Sequence, residues 1–296
     1  MNIVSIVLVV LTVVTGIMWV LDLLVLRPRR KAELASREAA SIVPLTKTEK
    51  KDILEPNGMW GSLVSCFPVL LVVFLLRSFA YEPFRIPSAS MMPTLLRGDF
   101  VLVEKFRYGI RNPFTNNVIY PTSQVKRGDI VVFKYPENTN IDYIKRIIGL
   151  PGDTVRYDRR TFYVRPAGAT EFTRLDAQKD EVQPYLERDE VYPSEYGIVG
   201  TENLLGYKHK IMHDPGVLPR ESFYEQPGGV VLGNEYGEWT VPEGQYFAIG
   251  DNREHSRDSR FWGFVPDSYV VGRAVCIWMN FTTDGFVKLN RLGHID

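Results

Sequence analysis

Two apolar runs stand out in the first quarter of the chain. Residues 3–26 carry one charge, Asp22, in 24 positions, and residues 59–76 carry none in 18. A helix of 24 residues is about 36 Å long, more than the roughly 30 Å of hydrocarbon in a bilayer. The pattern predicts transmembrane helices over 1–26 and 59–80, and Pro68 is compatible with the second. The alternative for each run is a buried helix of a soluble core.

The charges that flank the first run predict its orientation. No Lys or Arg precedes it and RPRRK follows it, which is the reverse of a cleavable signal peptide. Residues 27–58 contain eight Lys or Arg and five Asp or Glu, so the positive-inside rule places this loop in the cytoplasm. We therefore expect residues 81–296 to form an extracytoplasmic domain.

Beyond residue 80 the apolar residues occur in short runs rich in Val, Ile, Phe and Tyr, bounded by Gly, Pro, Asn and Asp. This is typical of strands and turns. Predicted strands include 100–106, 129–135, 154–158, 161–165, 244–251 and 269–281. The fold class is mainly β, with an antiparallel β domain behind the two helices. Residues 166–238 are richer in acidic residues and Tyr, and they predict a smaller inserted β unit.

Composition excludes several function classes. Lys plus Arg and Asp plus Glu both total 35, so the net charge is zero, which argues against nucleic acid as a partner. A hydrophobic fraction of 45% argues against a disordered chain. The two cysteines, Cys66 and Cys276, are too few for a disulfide framework or a cysteine zinc site, and we do not expect them to pair.

The histidines favour no metal site. His209 and His213 have the spacing of two ligands on one helical face, but the glutamate of the HExxH signature is missing, so we interpret both as surface residues. His255 could serve a Ser-His-Asp arrangement, but no GxSxG elbow supports one.

A stronger candidate combines a serine with a lysine. Ser88 and Ser90 lie in FRIPSASMMPTLLRGD, which could also be only a Pro-fixed entry into a strand. Serine is a weak nucleophile and needs a base. Lys145 lies in the strand-like run DYIKRIIGLPGD and shares a strand face with Tyr143 and Ile147. If that face is buried, loss of water favours the neutral, basic amine, and the alternative is an exposed lysine that protects a strand edge.

Four blocks resemble bacterial type I signal peptidases: PSASMMPTL, RGDIVVFKYP, DYIKRIIGLPGD and GDNREHSRDSRFWGFVP, in this order behind two N-terminal spans. The resemblance implies a Ser-Lys dyad protease with Ser90 as nucleophile and Lys145 as general base. It also implies that Ser88 supports the oxyanion hole, that Ser256 hydrogen-bonds Lys145, and that Asp258 and Arg260 form a supporting ion pair. The last block departs from the family pattern at Glu254, His255 and Arg257, where familiar members have Asp, Asn and a small residue.

The resemblance further implies an inner-membrane endopeptidase with its catalytic domain on the periplasmic side, which removes signal peptides from secreted preproteins beside the lipid bilayer and the translocation machinery. Cleavage sites of the A-x-A type call for shallow apolar pockets. The substrate strand is expected to pair near 84–88 and 142–145. The residues expected to contact it are Phe84, Ile86, Pro87, Met91, Leu95, Val132, Asp142, Tyr143 and Ile144. No cofactor and no metal is predicted.

Two other function classes stay open at this point. A self-processing membrane regulator would use the same dyad on its own chain and would carry a cytoplasmic DNA-binding module, for which the loop 27–58 is too short. A non-catalytic membrane-tethered β adaptor would need neither Ser90 nor Lys145.

Overall fold

The computed structural model describes residues 3–112, 117–184, 196–217, 221–281 and 289–295. The chain divides after Ala80 into two compact units. The first is helical and the second is built almost entirely from strands.

The helical unit contains a continuous helix that extends well past the first apolar run. It consists of α1 (Ile3–Leu21), a π-helical turn (Asp22–Leu26) and α2 (Arg27–Ala40). Residues 27–40 continue the helix because they are rich in Ala, Glu and Arg, which are good helix formers. After them come α3 (Lys47–Leu54), α4 (Gly58–Leu75) and a second π-helical turn (Leu76–Ala80).

The helices α1 and α4 pack against each other. The rings of Trp19 and Phe67 lie 5.4 Å apart, and a Cβ on Gly16 would lie 2.9 Å from the Phe67 ring. The one charge of the first apolar run is also satisfied inside this unit. Asp22 accepts two hydrogen bonds from Arg30, at 2.9 and 2.7 Å, and one from Trp60 Nε1 at 3.1 Å. The segments Ser5–Ala40 and Gly58–Ala80 are both long and apolar enough to cross a membrane.

The second unit is mainly antiparallel β, as the short apolar runs predict. Among the described residues its only α-helix is the single turn α5 (Ser259–Trp262). Its strands are β1 (Tyr81–Arg85), β2 (Asp99–Glu104), β3 (Ile110–Arg111), β4 (Val118–Tyr120), β5 (Ile130–Tyr135), β6 (Asn138–Gly149), β7 (Thr154–Asp158), β8 (Thr161–Arg165), β9 (Thr173–Arg174), β10 (Ala177–Pro184), β11 (Tyr196–Leu204), β12 (Tyr207–His213), β13 (Val230–Leu232), β14 (Tyr236–Thr240), β15 (Gln245–Ile249), β16 (Val265–Pro266), β17 (Val270–Asn280) and β18 (Gly293–His294).

The largest sheet has the strand order β1-β2-β17-β5-β6-β15-β16, with β18 beside β17. Strand β6 pairs antiparallel with β5, where Val131 is opposite Lys145 and Val132 is opposite Ile144. Strand β15 pairs with β6 only from Arg146 onward. The edge of β6 between Asn138 and Lys145 that faces away from β5 therefore has no strand partner within the described part of the chain.

Alternation along β5 and β6 separates two apolar clusters. One contains Val132 and Ile144 together with residues of the loop before β2. The other contains Phe133 and Tyr135, with Tyr143 packed against it. The two clusters lie on opposite faces of the sheet because successive side chains of a strand point to opposite sides.

The segment 166–238 contributes two different sheets. Strands β10, β11 and β12 form a three-stranded sheet. Strands β9, β13 and β14 instead complete a five-stranded sheet with β7 and β8, which precede the segment. Leu175, Leu204 and Phe223 share one core with Phe247 of β15. The inserted β unit is therefore joined by strand pairing and by a common core to the strands on both sides of it.

Candidate functional site

Ser90 and Lys145 meet at the end of the free edge of β6. Ser90 lies in the loop between β1 and β2, and this loop is closed at its base by backbone hydrogen bonds from Ile86 to Asp99 and from Gly98 to Ile86. Lys145 projects from β6 so that its Nζ lies 2.6 Å from Ser90 Oγ. The distance allows a direct proton transfer between the hydroxyl and the amine.

The side chain of Lys145 is shielded from solvent in this position. The residue is 4% exposed, and its Nζ lies 5.5 Å from the centre of the Tyr143 ring. Burial lowers the pKa of Lys145 from 10.5 to about 8, and the carboxylates of Asp258 and Asp251 oppose part of this shift. A substantial fraction of the amine is therefore neutral in weakly alkaline solution, where it can accept a proton.

A second hydroxyl lies beside the first. Ser88 Oγ is 3.3 Å from Ser90 Oγ, and Ser88 is exposed whereas Ser90 is buried. A hydroxyl here can donate a hydrogen bond to an oxyanion that forms on a carbonyl attacked by Ser90.

The segment after β15 closes the site from the other side. Asp258 and Arg260 form a fully buried bidentate ion pair, with Nε to Oδ1 at 2.8 Å and Nη2 to Oδ2 at 2.9 Å. Asp258 also accepts a hydrogen bond from the backbone N–H of Gly250 at 3.0 Å. Burial and the paired charge of Asp258 act in opposite directions on Arg260, and its pKa is raised, so the guanidinium stays charged.

Gly250 is confined between Ser90 and Ser256. A Cβ on Gly250 would lie 2.4 Å from the Ser90 carbonyl oxygen and 2.2 Å from Ser256 Oγ. Only glycine fits without moving one of these two residues, because real Cβ atoms do not approach other atoms so closely.

A second buried ion pair lies under the Ser90 loop. Arg146 donates to both carboxylate oxygens of Asp251, at 2.9 and 2.8 Å, and neither side chain is exposed. Thr94, in the same loop as Ser90, donates to Asp251 at 2.6 Å. The charge of Arg146 keeps the pKa of Asp251 below its usual value although burial raises it.

Comparison with known proteins shows the family of the chain. Residues 59–279 match the family described as "Signal peptidase, peptidase S26". The chain belongs to this family. It is accordingly a serine endopeptidase that acts on secreted preproteins and removes their signal peptides.

Relatives within the signal peptidase family cover nearly the whole chain. A "Signal peptidase I" of Buchnera aphidicola subsp. Schizaphis graminum is 38% identical over 99% of both chains. One from Pseudomonas aeruginosa is 39% identical over 93% of this chain and 91% of the relative. A solved signal peptidase I from Enterococcus faecalis V583 is 28% identical, covers 51% of this chain and 97% of that one, and superposes with a TM-score of 0.27.

The structure brings together most of the residues that were expected to contact a substrate. Ile86, Met91, Leu95, Val132 and Ile144 belong to one buried cluster, and Phe84 packs against it. We call Ile86, Val132 and Ile144 of this cluster the apolar wall. Met91 and Leu95 have no exposed surface, so they support the apolar wall from beneath.

The other expected contact residues lie outside this cluster. Pro87 and Asp142 are exposed, and Asp142 pairs with Lys134 at 2.7 Å. Tyr143 belongs to the opposite face of the sheet.

Ser256 lies in the site but lacks the expected hydrogen bond. It is 3% exposed, and its Oγ has no hydrogen-bond partner within the described residues. Ser256 is instead fixed through its backbone carbonyl, which accepts from Arg260 Nη2 at 3.3 Å. The predicted hydrogen bond from Ser256 to Lys145 is therefore not formed in the described structure.

The surface interpretation of His209 is wrong. The residue is 4% exposed because alternation along β12 turns it inward, where its Nε2 lies 3.4 Å from Glu202 and 4.0 Å from Asp251. Burial and the nearby Arg146 lower the pKa of His209 to about 3, so it is neutral. No group of three or more potential ligands could hold a metal ion in the part of the chain that is described.

His255 pairs with a carboxylate of the inserted β unit. Its Nε2 lies 2.8 Å from Asp214, at the end of β12. Its neighbour Glu254 lies 3.2 Å from His213 Nδ1 and accepts from the backbone N–H of Asp214 at 2.9 Å. These contacts join the inserted β unit to the segment that carries Ser256.

Sequence reasoning missed Arg146, Gly250, Asp251 and Asn252. Three of them lie in the GDN triplet of a block that the resemblance had already selected, and Arg146 directly follows Lys145. Arg146 could have been found from its position, because a charged residue on an otherwise apolar face of a strand needs a buried partner.

Proposed function

We propose that this chain cleaves signal peptides through a Ser90–Lys145 dyad, in a domain anchored to the inner membrane by the two apolar helices and exposed to the periplasm. The distance of 2.6 Å between Lys145 Nζ and Ser90 Oγ, in a buried setting that favours the neutral amine, carries the proposal. The apolar helices and the positive charge between them support the anchor and its orientation.

Acylation begins when the neutral amine of Lys145 accepts the hydroxyl proton of Ser90. Ser90 Oγ attacks the carbonyl carbon of the last signal-peptide residue, and the carbonyl oxygen becomes an oxyanion. The backbone N–H of Ser90 and the hydroxyl of Ser88 donate to this oxyanion. The ammonium of Lys145 then protonates the leaving nitrogen, the C–N bond breaks, and the mature protein departs.

Deacylation repeats these steps with water. Lys145 takes a proton from the water, the hydroxide oxygen adds to the acyl carbon, and Ser90 leaves with the proton that Lys145 returns. Asp258, Arg260 and Ser256 hold the segment beside Lys145 in place.

The substrate binds as an added strand. The unpaired edge of β6 between Asn138 and Lys145 offers main-chain hydrogen bonds. Strand β1, which contains Phe84, leads into the loop that carries Ser90. The small residues of an A-x-A site pack against the apolar wall formed by Ile86, Val132 and Ile144. Anchoring next to the bilayer and the translocation machinery raises the effective concentration of such sites.

Cleavage in trans tests the proposal. Full-length protein in detergent is incubated with a preprotein, and wild type is compared with Ser90→Ala and Lys145→Met. Both variants should still fold, as a cooperative thermal unfolding transition would show, and both should lose cleavage. Retained cleavage in either variant contradicts the dyad, whereas cleavage of the chain only in cis supports a self-processing protein.

A further inference from the structure

A compact charged cluster lies on the face of the sheet opposite the apolar wall. Arg257 donates from Nη1 to Glu137 at 2.9 Å and from Nε to Glu221 at 3.1 Å. Tyr135 bonds through its hydroxyl to both Arg257 and Glu137. The Tyr135 ring stacks on Tyr143, with centroids 4.3 Å apart and an interplanar angle of 7°. We call these five residues the Arg257 cluster.

The Arg257 cluster reaches the catalytic centre through Tyr143. The Tyr143 ring lies 5.5 Å from Lys145 Nζ, and the two residues share a face of β6. The pKa of Tyr143 is raised first by burial and then by the charges of Glu137 and Glu221, so both carboxylates act on this ring.

Strand geometry predicts that the middle residue of an A-x-A site lies on the face of β6 that carries Tyr143. In an added strand, successive side chains alternate between the two faces of the sheet. If the two small residues of an A-x-A site lie against Val132 and Ile144, the middle residue projects to the opposite face, beside Tyr143. This step rests on the proposed function and on the strand pairing at the free edge of β6.

The charge of the Arg257 cluster is unbalanced. One guanidinium faces two carboxylates, so the net charge is −1. The side chains of Glu137 and Glu221 are 50% and 58% exposed, more than the 38% of Arg257, so the carboxylates are the outer groups. Lys134 and Asp142 are paired with each other and add no net charge. Lys145 adds none in its reactive, neutral form.

We propose that the Arg257 cluster selects the middle residue of the cleavage motif, favouring Lys or Arg and disfavouring Asp or Glu. Because the groups are partly exposed, the selection is modest. A charge reversal at the middle position should change kcat/KM by about two- to fivefold, the range of exposed ion pairs, and 1 M salt should reduce the difference.

Peptide competition tests this selection. Three peptides carry Ala at both small positions and Lys, Gln or Glu between them, and a second set varies the first residue of the mature part in the same way. Wild-type enzyme should cleave the Lys peptide faster than the Glu peptide in the first set. Glu137→Gln with Glu221→Gln leaves a net charge of +1 and should invert the order, and Arg257→Gln leaves −2 and should enlarge the preference for Lys.

A matched variant and the neutral peptide serve as controls. Glu238→Gln removes a carboxylate that pairs with Arg156 on the five-stranded sheet, and it should leave the order unchanged. Turnover of the Gln peptide shows that each variant is folded. The inference would be overturned if the ratio of kcat/KM for the Lys peptide to that for the Glu peptide were the same in wild type and both cluster variants. A charge effect seen only in the peptides that vary the mature part would also overturn it. Failure of the wild type to cleave every peptide would instead contradict the proposed function.

Discussion

Asn252 holds the main chain of Ser90 in place. Its backbone N–H donates to the Ser90 carbonyl oxygen at 3.1 Å, and its Nδ2 donates to the Ala89 carbonyl oxygen at 3.0 Å. Asn252 has no exposed surface. The hydroxyl of Ser90 is therefore positioned by a residue far along the chain, and the distance to Lys145 depends on it.

Asn252→Ala should lower kcat by about tenfold to a hundredfold, because small displacements of a reacting group have effects of this size. The cost in stability should be only about 1 kcal/mol, since the Ala89 carbonyl keeps a hydrogen bond from the Met92 N–H. Steady-state cleavage and thermal unfolding measure the two effects. Asn203→Ala, at an exposed turn, is the control. An unchanged kcat would show that Asn252 does not position Ser90.

Gly250→Ala should abolish cleavage, because the new methyl group is too close to both the Ser90 carbonyl and Ser256 and must displace them. Overpacking of this kind typically costs about 1–3 kcal/mol of stability. Gly168→Ala is a control for activity, because the space around its Cβ position is open, although its φ of 78° means that this substitution also costs some stability. Cleavage and thermal unfolding are compared for both variants. Full activity in Gly250→Ala would mean that the site tolerates the displacement.

Local sequence pattern indicated which strand face carries Lys145, whereas Ser90 was selected as its partner only by the resemblance to signal peptidases. The alternation of β6 placed Lys145 on a face with Tyr143 and Ile147, and Ile147 is completely buried. The exposed-lysine alternative is therefore wrong. The strands 154–158 and 161–165 were predicted with the bounds that the structure has, because Gly, Asp and Arg-Arg turns delimit them.

Contacts between distant segments could not be predicted in the same way. Asp251 binds Arg146 and Thr94, and no periodicity of either segment indicates this pairing. His209 was interpreted as a surface residue because the glutamate of the HExxH signature is missing, and no pattern in its own segment, YKHKIMH, indicated burial. The partners that bury it, Glu202 and Asp251, come from other strands and loops. Local propensity predicts elements, whereas the tertiary register decides which polar side chains are enclosed.

Ser88→Ala should lower kcat by about a hundredfold to a thousandfold and change KM little, because one oxyanion donor typically contributes about 2.7 to 4 kcal/mol to transition-state stabilisation. The exposure of Ser88 makes a structural effect small. Ser88→Thr keeps the hydroxyl and should retain much more of the activity. A raised KM at constant kcat would point to substrate binding instead.

The pH dependence of cleavage should follow the titration of Lys145. Because the reactive form of Lys145 is neutral and its pKa is about 8, kcat/KM should rise about tenfold from pH 7 to pH 9 and then level off. Peptides without titratable side chains exclude effects of the substrate. A profile that is flat between pH 7 and 9 would contradict Lys145 as the titrating base.

The same shift predicts that Lys145 destabilises the fold. Its pKa falls from 10.5 in the unfolded chain to about 8 in the folded one, so the folded state binds fewer protons between these values and the contribution of Lys145 to stability improves as pH rises. Below pH 8 burial of the charged amine lowers the free energy of unfolding by about 3 kcal/mol, from a difference of about 2.5 pKa units.

Lys145→Met should therefore raise the thermal midpoint at pH 7, and this rise should become smaller toward pH 10. Lys210→Met, at an exposed ion pair, should change little at either pH. A lower midpoint for Lys145→Met at pH 7 would mean that the amine stabilises the fold and is not held there against the cost of burial.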